Sequence, residues 1–250
     1  MQHDVFDSHF HIIDPRFPLI PNNGYLPEPF TTTDYRKLTR DLRVSGGVVV
    51  SGSFQGFDQE YLLHTLAELG PKFFRVAQLP FDVDDSQLVH LAAAGVRAVR
   101  FNLYRGGADG AAHLLSMARR VWNLAGMHVE LYVDAVDLPD LEPILAQLPK
   151  VSVDHLGISE ANRDCLLRLV GAGLRVKATG FGRIGLDVVA ALQQIHEVDP
   201  KALMFGTDLP GTRAPRPFEK ADITVISEAL GTDALPAVLW GNAMQFYRAQ

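Results

Sequence analysis

The chain has 250 residues, a length that suits one (β/α)8 barrel, with 47% apolar residues, 21% charged residues and a formal charge of −6. The acidic balance argues against nucleic acid as a partner, because no basic excess is present to neutralise phosphates. Its one cysteine, Cys165, excludes an internal disulfide; a small buried hydrophobe in a reducing, cytoplasmic setting is expected.

Eight β-rich segments follow one another: Val5–Ile12, Gly47–Ser53, Phe73–Leu79, Val96–Leu103, His128–Asp134, Val151–Leu156, Leu174–Thr179 and Leu203–Asp208. Helical periodicity fills most of the gaps, with apolar faces such as Leu88, Leu91 and Ala92, then Leu114, Leu115, Ala118, Val121 and Trp122, then Leu138, Leu141, Leu145 and Leu148. Gly95, Gly126 and Gly173 read as helix ends leading into strands. Strand–helix alternation repeated eight times predicts an α/β fold, a (β/α)8 TIM barrel with some distortion, forming a single domain over residues 1–250. The stretch Asp14–Thr33, rich in Pro and Asn, is a long loop where such a barrel places substrate contacts. No secretory leader pattern is expected, and no apolar run reaches the roughly 18 residues that cross a bilayer.

Alternation along each strand assigns faces. On the first, Val5, Asp7, His9 and His11 share one face, opposite Phe6, Phe10 and Ile12. Since the outer face of a barrel must be apolar, His9 and His11 are expected inside, at the C-terminal mouth. By the same reasoning Arg100 and Asn102 share a face on the fourth strand, His128, Glu130, Tyr132 and Asp134 on the fifth, and Arg175, Lys177 and Thr179 on the seventh. His155 and Asp208 end the sixth and eighth strands, whereas Asp154 is expected on the face opposite His155, anchoring a helix or loop. A lone strand-end histidine is more often a hydrogen-bonded core residue than a ligand. Several imidazoles and a carboxylate on one rim point instead to chemistry: they can bind Zn²⁺, or polarise a carbonyl while the carboxylate activates water. His64, His90, His113 and His196 fall on helices, and His128 falls at the stability face, so none of these is a catalytic candidate.

The segments Asp7-Ser8-His9-Phe10-His11, Val151–Gly157, Phe205–Pro210 and Trp240-Gly241-Asn242-Ala243, taken in order, resemble the amidohydrolase-related branch of the amidohydrolase superfamily. Within it the chain is most similar to barrel hydrolases of the 2-pyrone-4,6-dicarboxylate lactonase type. That resemblance implies substrate contacts at Ser53 and Gln55 after the second strand, at Arg100 and Arg105, at Tyr132, at Arg183 and, more loosely, at Tyr25 in the first loop. Metal-dependent members usually supply a ligand on the fourth strand and a His on the fifth, where this chain has Arg100 and Tyr132. The resemblance therefore implies chemistry with no required cofactor. One zinc held by His9, His11 and Asp208 is the alternative.

The expected activity is hydrolysis of a small carboxylated cyclic ester, an anionic small molecule. Asp208 activates water, while His9, His11 and His155 polarise the carbonyl and Arg100, Arg105 and Arg183 grip carboxylates. Two alternatives remain: a zinc-dependent amidohydrolase or decarboxylase of a related acid, and a non-catalytic barrel that binds small anions. Oligomeric state and the roles of Lys177, Arg213 and Arg216 are left open by the sequence.

Overall fold

A computed structural model describes residues 3–106 and 109–248. Eight parallel strands lie in sequence order around one sheet: β1 (Asp4–Phe10), β2 (Arg43–Val50), β3 (Phe73–Ala77), β4 (Val96–Asn102), β5 (His128–Tyr132), β6 (Val151–Val153), β7 (Arg175–Ala178) and β8 (Leu203–Phe205). Between them run α1 (Thr32–Thr39), α2 (Glu60–Leu69), α3 (Asp85–Ala93), the short α4 (Leu103–Gly106), α5 (Asp109–Ala125), α6 (Leu138–Leu145), α7 (Arg163–Gly171) and α8 (Val188–Val198). Two more helices, α9 (Lys220–Leu230) and α10 (Asn242–Arg248), follow β8. This is the expected (β/α)8 barrel.

Two apolar layers hold it together. Outward strand residues such as Val49, Val99, Leu131, Val153 and Val176 pack on Leu88, Leu114, Val121, Leu138 and Ile195 of the helices. Each such side chain, fully buried, contributes about 1.5–3 kcal/mol. A second cluster fills the barrel itself: Phe6, Val48, Val50, Phe74, Val76, Ala98 and Met204, closed by Ala243, Phe246 and Tyr247 of α10. Asn242 opens α10 and donates to the carbonyls of Pro200 and Leu203, fastening that plug to the start of β8. As expected, Gly95, Gly126 and Gly173 adopt positive φ between helices and strands.

The barrel closes through two backbone hydrogen bonds beyond β8, Asp208 N–H to His9 O at 2.7 Å and His11 N–H to Leu209 O at 2.8 Å. Gly206 permits this approach, because a Cβ there would stand 2.8 Å from the His9 nitrogen. The seam thus brings β1 and the Asp208 segment together at the mouth.

One assignment on β1 needs correction. Phe6 faces inward with the second cluster, and Asp7 faces outward, accepting from the Tyr35 hydroxyl of α1 and from Thr207. Farther along, Phe10 also faces outward, stacked on Tyr35 at 3.9 Å, while His9 and His11 face inward. The pairing with β2 shifts register between Asp7 and Phe10, and this irregularity re-phases the strand. Alternation therefore holds from Val5 to Asp7 and again from His9 onward, but with its phase reversed between the two runs. Among the described residues no single helix is long and apolar enough to cross a membrane. Cys165 is buried as expected, with its thiol directed at Glu142.

Candidate active site

A cleft of about 400 Å3 opens at the C-terminal ends of the strands. His11, Tyr25, Ser53, Arg100, Arg105, Tyr132, His155 and Arg183 all line it, so the structure gathers these sequence candidates on one surface. His9 and Asp208 lie just beneath, both buried. Gln55 does not line the cleft. Its amide donates to Ile12 O and accepts from Gly52 N, so it braces the second loop against the first. Gly52, Phe54, Asn102, Thr212 and Arg213 complete the lining; Asn102 shares the inward face expected for Arg100, and the role of Arg213 was left open by the sequence.

Two of the converging side chains are delivered by unusual backbone. His155 and Asp208 have φ of 53° and 58°, and Leu156 and Ile158 beside His155 are also positive at 52° and 70°. Such conformations cost about 1–3 kcal/mol each and persist where surrounding structure enforces them, often at functional sites. The turn explains a second correction. Asp154 continues the inward parity of Ser152 and does not anchor an outer helix, and the left-handed turn after it swings His155 into the mouth as well. Gly180 leaves room for that imidazole, since a Cβ there would stand 2.6 Å from His155 Nδ1.

The side chains form two linked groups. In the upper group, His9 Nε2 and His11 Nε2 each stand 3.7 Å from Asp208 Oδ1, and the His9 ring centre is 4.9 Å from that of His155. His11 is oriented by its Nδ1, 2.7 Å from Val50 O. Arg183 Nε donates to Asp208 Oδ2 at 2.7 Å, with Nη2 on the same oxygen. In the lower group, Arg100 donates through Nε and Nη2 to Asp154 Oδ2 at 3.1 and 2.9 Å. Lys177 lies between Glu130 and Asp154, and the Tyr247 hydroxyl donates to Glu130.

Protonation follows from this burial and pairing. Burial alone would raise the Asp208 carboxyl, but the Arg183 guanidinium and the adjacent imidazoles outweigh it and hold the group far below the usual range. Burial pushes the His9 imidazole down to about 3, against the pull of Asp154, and lowers His155 strongly too. At neutral pH His9 and His155 are neutral and Asp208 is a carboxylate.

Residues 6–249 match a family model described as Amidohydrolase. This chain belongs to the amidohydrolase family. It is 29% identical over 233 residues to 2-pyrone-4,6-dicarboxylate hydrolase of Comamonas testosteroni, covering 82% of this chain and 76% of that one. It is 25% identical over 224 residues to 4-sulfomuconolactone hydrolase of Hydrogenophaga intermedia, covering 82% and 74%. A crystal structure described as a probable 2-pyrone-4,6-dicarboxylic acid hydrolase from Acinetobacter baumannii, with citric acid bound, superposes with a TM-score of 0.84 at 22% identity over 98% of this chain and 99% of that one. The protein is an amidohydrolase-family hydrolase.

The metal question in this amidohydrolase can be tested on its own atoms. One ligand atom each from His9, His155 and Asp208 lie within 4.8 Å of one another. His9 Nε2, His155 Nδ1 and Asp208 Oδ1 are all buried without a hydrogen-bond partner. By count, chemistry and spacing this set fits one divalent cation. It contains His155 where the sequence suggested His11.

Proposed function

We propose that this amidohydrolase opens a small lactone bearing one or more carboxylates. The reading is carried by one observation: the neutral imidazoles of His9 and His155 and an ionised carboxylate meet at the floor of a cleft whose walls hold four arginines, Arg100, Arg105, Arg183 and Arg213. The lactone-hydrolysing relatives support it.

In this mechanism a substrate carboxylate engages Arg105 and Arg183, for which the guanidinium fork is suited. Sharing Arg183 with the substrate relieves its hold on Asp208, whose carboxylate is otherwise too weak a base for the task. Asp208 then takes a proton from water as the water oxygen bonds to the ring carbonyl carbon. N–H groups of His9 and His155 receive the charge that develops on the carbonyl oxygen, one such donor being worth about 3 kcal/mol in the barrier. His11, whose Nδ1–H is engaged by Val50 O, borders the reacting atoms through Nε2. The ring C–O bond breaks, and Asp208 returns its proton to the departing oxygen. Tyr132, 4.9 Å from the Arg100 guanidinium and 5.3 Å from the His155 ring, and Ser53 border the ring. A second reading rests on the three unpartnered atoms described above. His9, His155 and Asp208 would hold a divalent cation, which would supply Lewis-acid polarisation of the carbonyl.

A pH-indicator assay over a panel of carboxylated and neutral lactones, with and without zinc, tests the proposal. Turnover of a carboxylated lactone is expected, and Asp208→Asn should lower kcat by about 10²–10⁴-fold, the usual worth of a general base. Parental turnover in a folded Asp208→Asn protein would remove Asp208 from this role.

A further inference from the structure

Lys177 is fully buried at the centre of the barrel, below the cleft, and the reaction described above does not use it. Its ammonium has three N–H donors and no acceptor. Three acceptors surround Nζ: Glu130 Oε2 at 2.5 Å, His9 Nδ1 at 3.3 Å and Asp154 Oδ1 at 3.4 Å. Glu130 is held from below by the Tyr247 hydroxyl on Oε1, with His128 Nε2 3.4 Å from the same oxygen. The lysine therefore has a fixed anchor at the plug end of the barrel, and its remaining donors face His9 and Asp154.

The same His9 nitrogen also stands 3.3 Å from Asp154 Oδ1, so two protonation patterns compete. With the proton on Nδ1, the ring would donate to Asp154 but direct an N–H at the ammonium, leaving a lysine donor without an acceptor. In a dry interior two donors face to face are costly. Asp154 is compensated without the ring proton: Arg100 donates twice to Oδ2, and the Lys177 ammonium stands 3.4 Å from Oδ1 as a counter-charge, while the hydrogen-bond geometry at His9 Nδ1 is met by Lys177 Nζ. With the proton on Nε2, the lysine donates to both Glu130 Oε2 and His9 Nδ1, and its charge faces Asp154 Oδ1 at 3.4 Å.

We propose that Lys177 is a positioning residue: by donating to His9 Nδ1 it fixes the neutral ring as the Nε2–H tautomer. That proton then points toward the reacting side, where Nε2 is 3.7 Å from Asp208 Oδ1. Two consequences follow. His9 becomes an N–H donor for a developing oxyanion, a step that rests on the lactone-hydrolase reading. It also loses the lone pair that a cation would need, so the three-atom set of His9, His155 and Asp208 is reduced to two. Lys177 thus decides between metal-free and metal-holding chemistry in the same pocket.

The tautomer is directly observable. Long-range 15N–1H NMR on histidine-labelled, chelator-treated full chain, with His9 assigned by loss of its signals in His9→Gln, should show an unprotonated Nδ1 and a protonated Nε2. In Lys177→Met the two should exchange as Nδ1–H turns to Asp154. Titration calorimetry with zinc alone should then show uptake of about one equivalent by the variant and none by the parent. On any lactone that the parent turns over, the variant should lose about 10²–10³ in kcat, the worth of one oxyanion donor, with KM unchanged. A protonated Nδ1 in the parent overturns the proposal, as does an unchanged tautomer in folded Lys177→Met. If that variant fails to fold, the parent spectrum alone decides. Failure of every lactone in the panel would count against the proposed function and leave the tautomer result standing.

Discussion

The inner wall of this barrel has two unlike halves. On β2 and β3 the inward side chains are Val48, Val50, Phe74 and Val76, all apolar. On β4, β5 and β7, and just past β6, they include Arg100, Glu130, Lys177 and Asp154, all charged and all buried. The apolar half has no directional demands, and it is stabilised by area and packing. The charged half survives only because each charge meets its opposite across strands: Arg100 with Asp154, and Lys177 with both Glu130 and Asp154. That wall holds His9 in place, whereas the apolar wall leaves His11 to be oriented by a backbone carbonyl. One side of the barrel is therefore packing, and the other is a rigid electrostatic support for the site.

The contrast can be broken most severely at Asp154. Asp154→Ala leaves Arg100 and Lys177 buried beside an absent partner and should destabilise the fold by about 3–5 kcal/mol in urea titration. On the opposite wall, Val48→Ala should cost only about 2 kcal/mol, the lost transfer term plus a small cavity. Equal losses at the two positions would mean that the charged wall is no more demanding than the apolar one.

Acid should expose a further difference. Burial holds His128 down to about 4 from its ordinary 6.5, so its contribution is complete above pH 6.5 and lost as pH falls toward 4. Asp7, outside the wall, is raised by burial from 3.8 to about 6, so its contribution is complete below pH 3.8 and lost as pH rises through 6. His9, at about 3, adds to the first trend. Melting temperature should fall between pH 6.5 and 4, and His128→Gln should flatten that slope. An identical slope in a folded variant would show that His128 is not titrating between the folded and unfolded states.

The smallest effect is expected at the rim. Arg213 lies 4.5 Å over the Tyr25 ring and also donates to Asn22 O, tying the eighth loop to the first. Arg213→Ala removes a cation–π contact of about 0.5–1 kcal/mol, so KM should rise about two- to fivefold with kcat retained. A fall in kcat without a change in KM would place Arg213 closer to the reacting atoms.

Much of the site was legible because barrel strands impose two simple constraints, alternation and a mouth at their C-terminal ends. His9, His11, Arg100 and Tyr132 follow from these directly. The register shift before Phe10 was not legible, and it cost the assignments of Phe6 and Asp7. Asp154 was available from the same counting that places Ser152 inward; the adjacent His155 obscured it, because a left-handed turn lets both neighbours enter the barrel. Glu130 and Lys177 could each be placed inside, but their pairing spans β5 and β7, and no local pattern announces a contact between residues so far apart in the chain.

Local chemistry written along the chain, meaning apolar periodicity, glycine punctuation and strand-end polar residues, determined the (β/α)8 architecture and most of the cleft lining. What only the tertiary structure decided is partnership: which cation faces which carboxylate, and which hydrogen each imidazole must carry. Those choices depend on distances of 2.5 to 3.7 Å between separate strands, set jointly by register, bulges and the closure of β1 on β8. Desolvation makes them consequential, because charges and donors that water would satisfy anywhere on a surface must here be satisfied by one another.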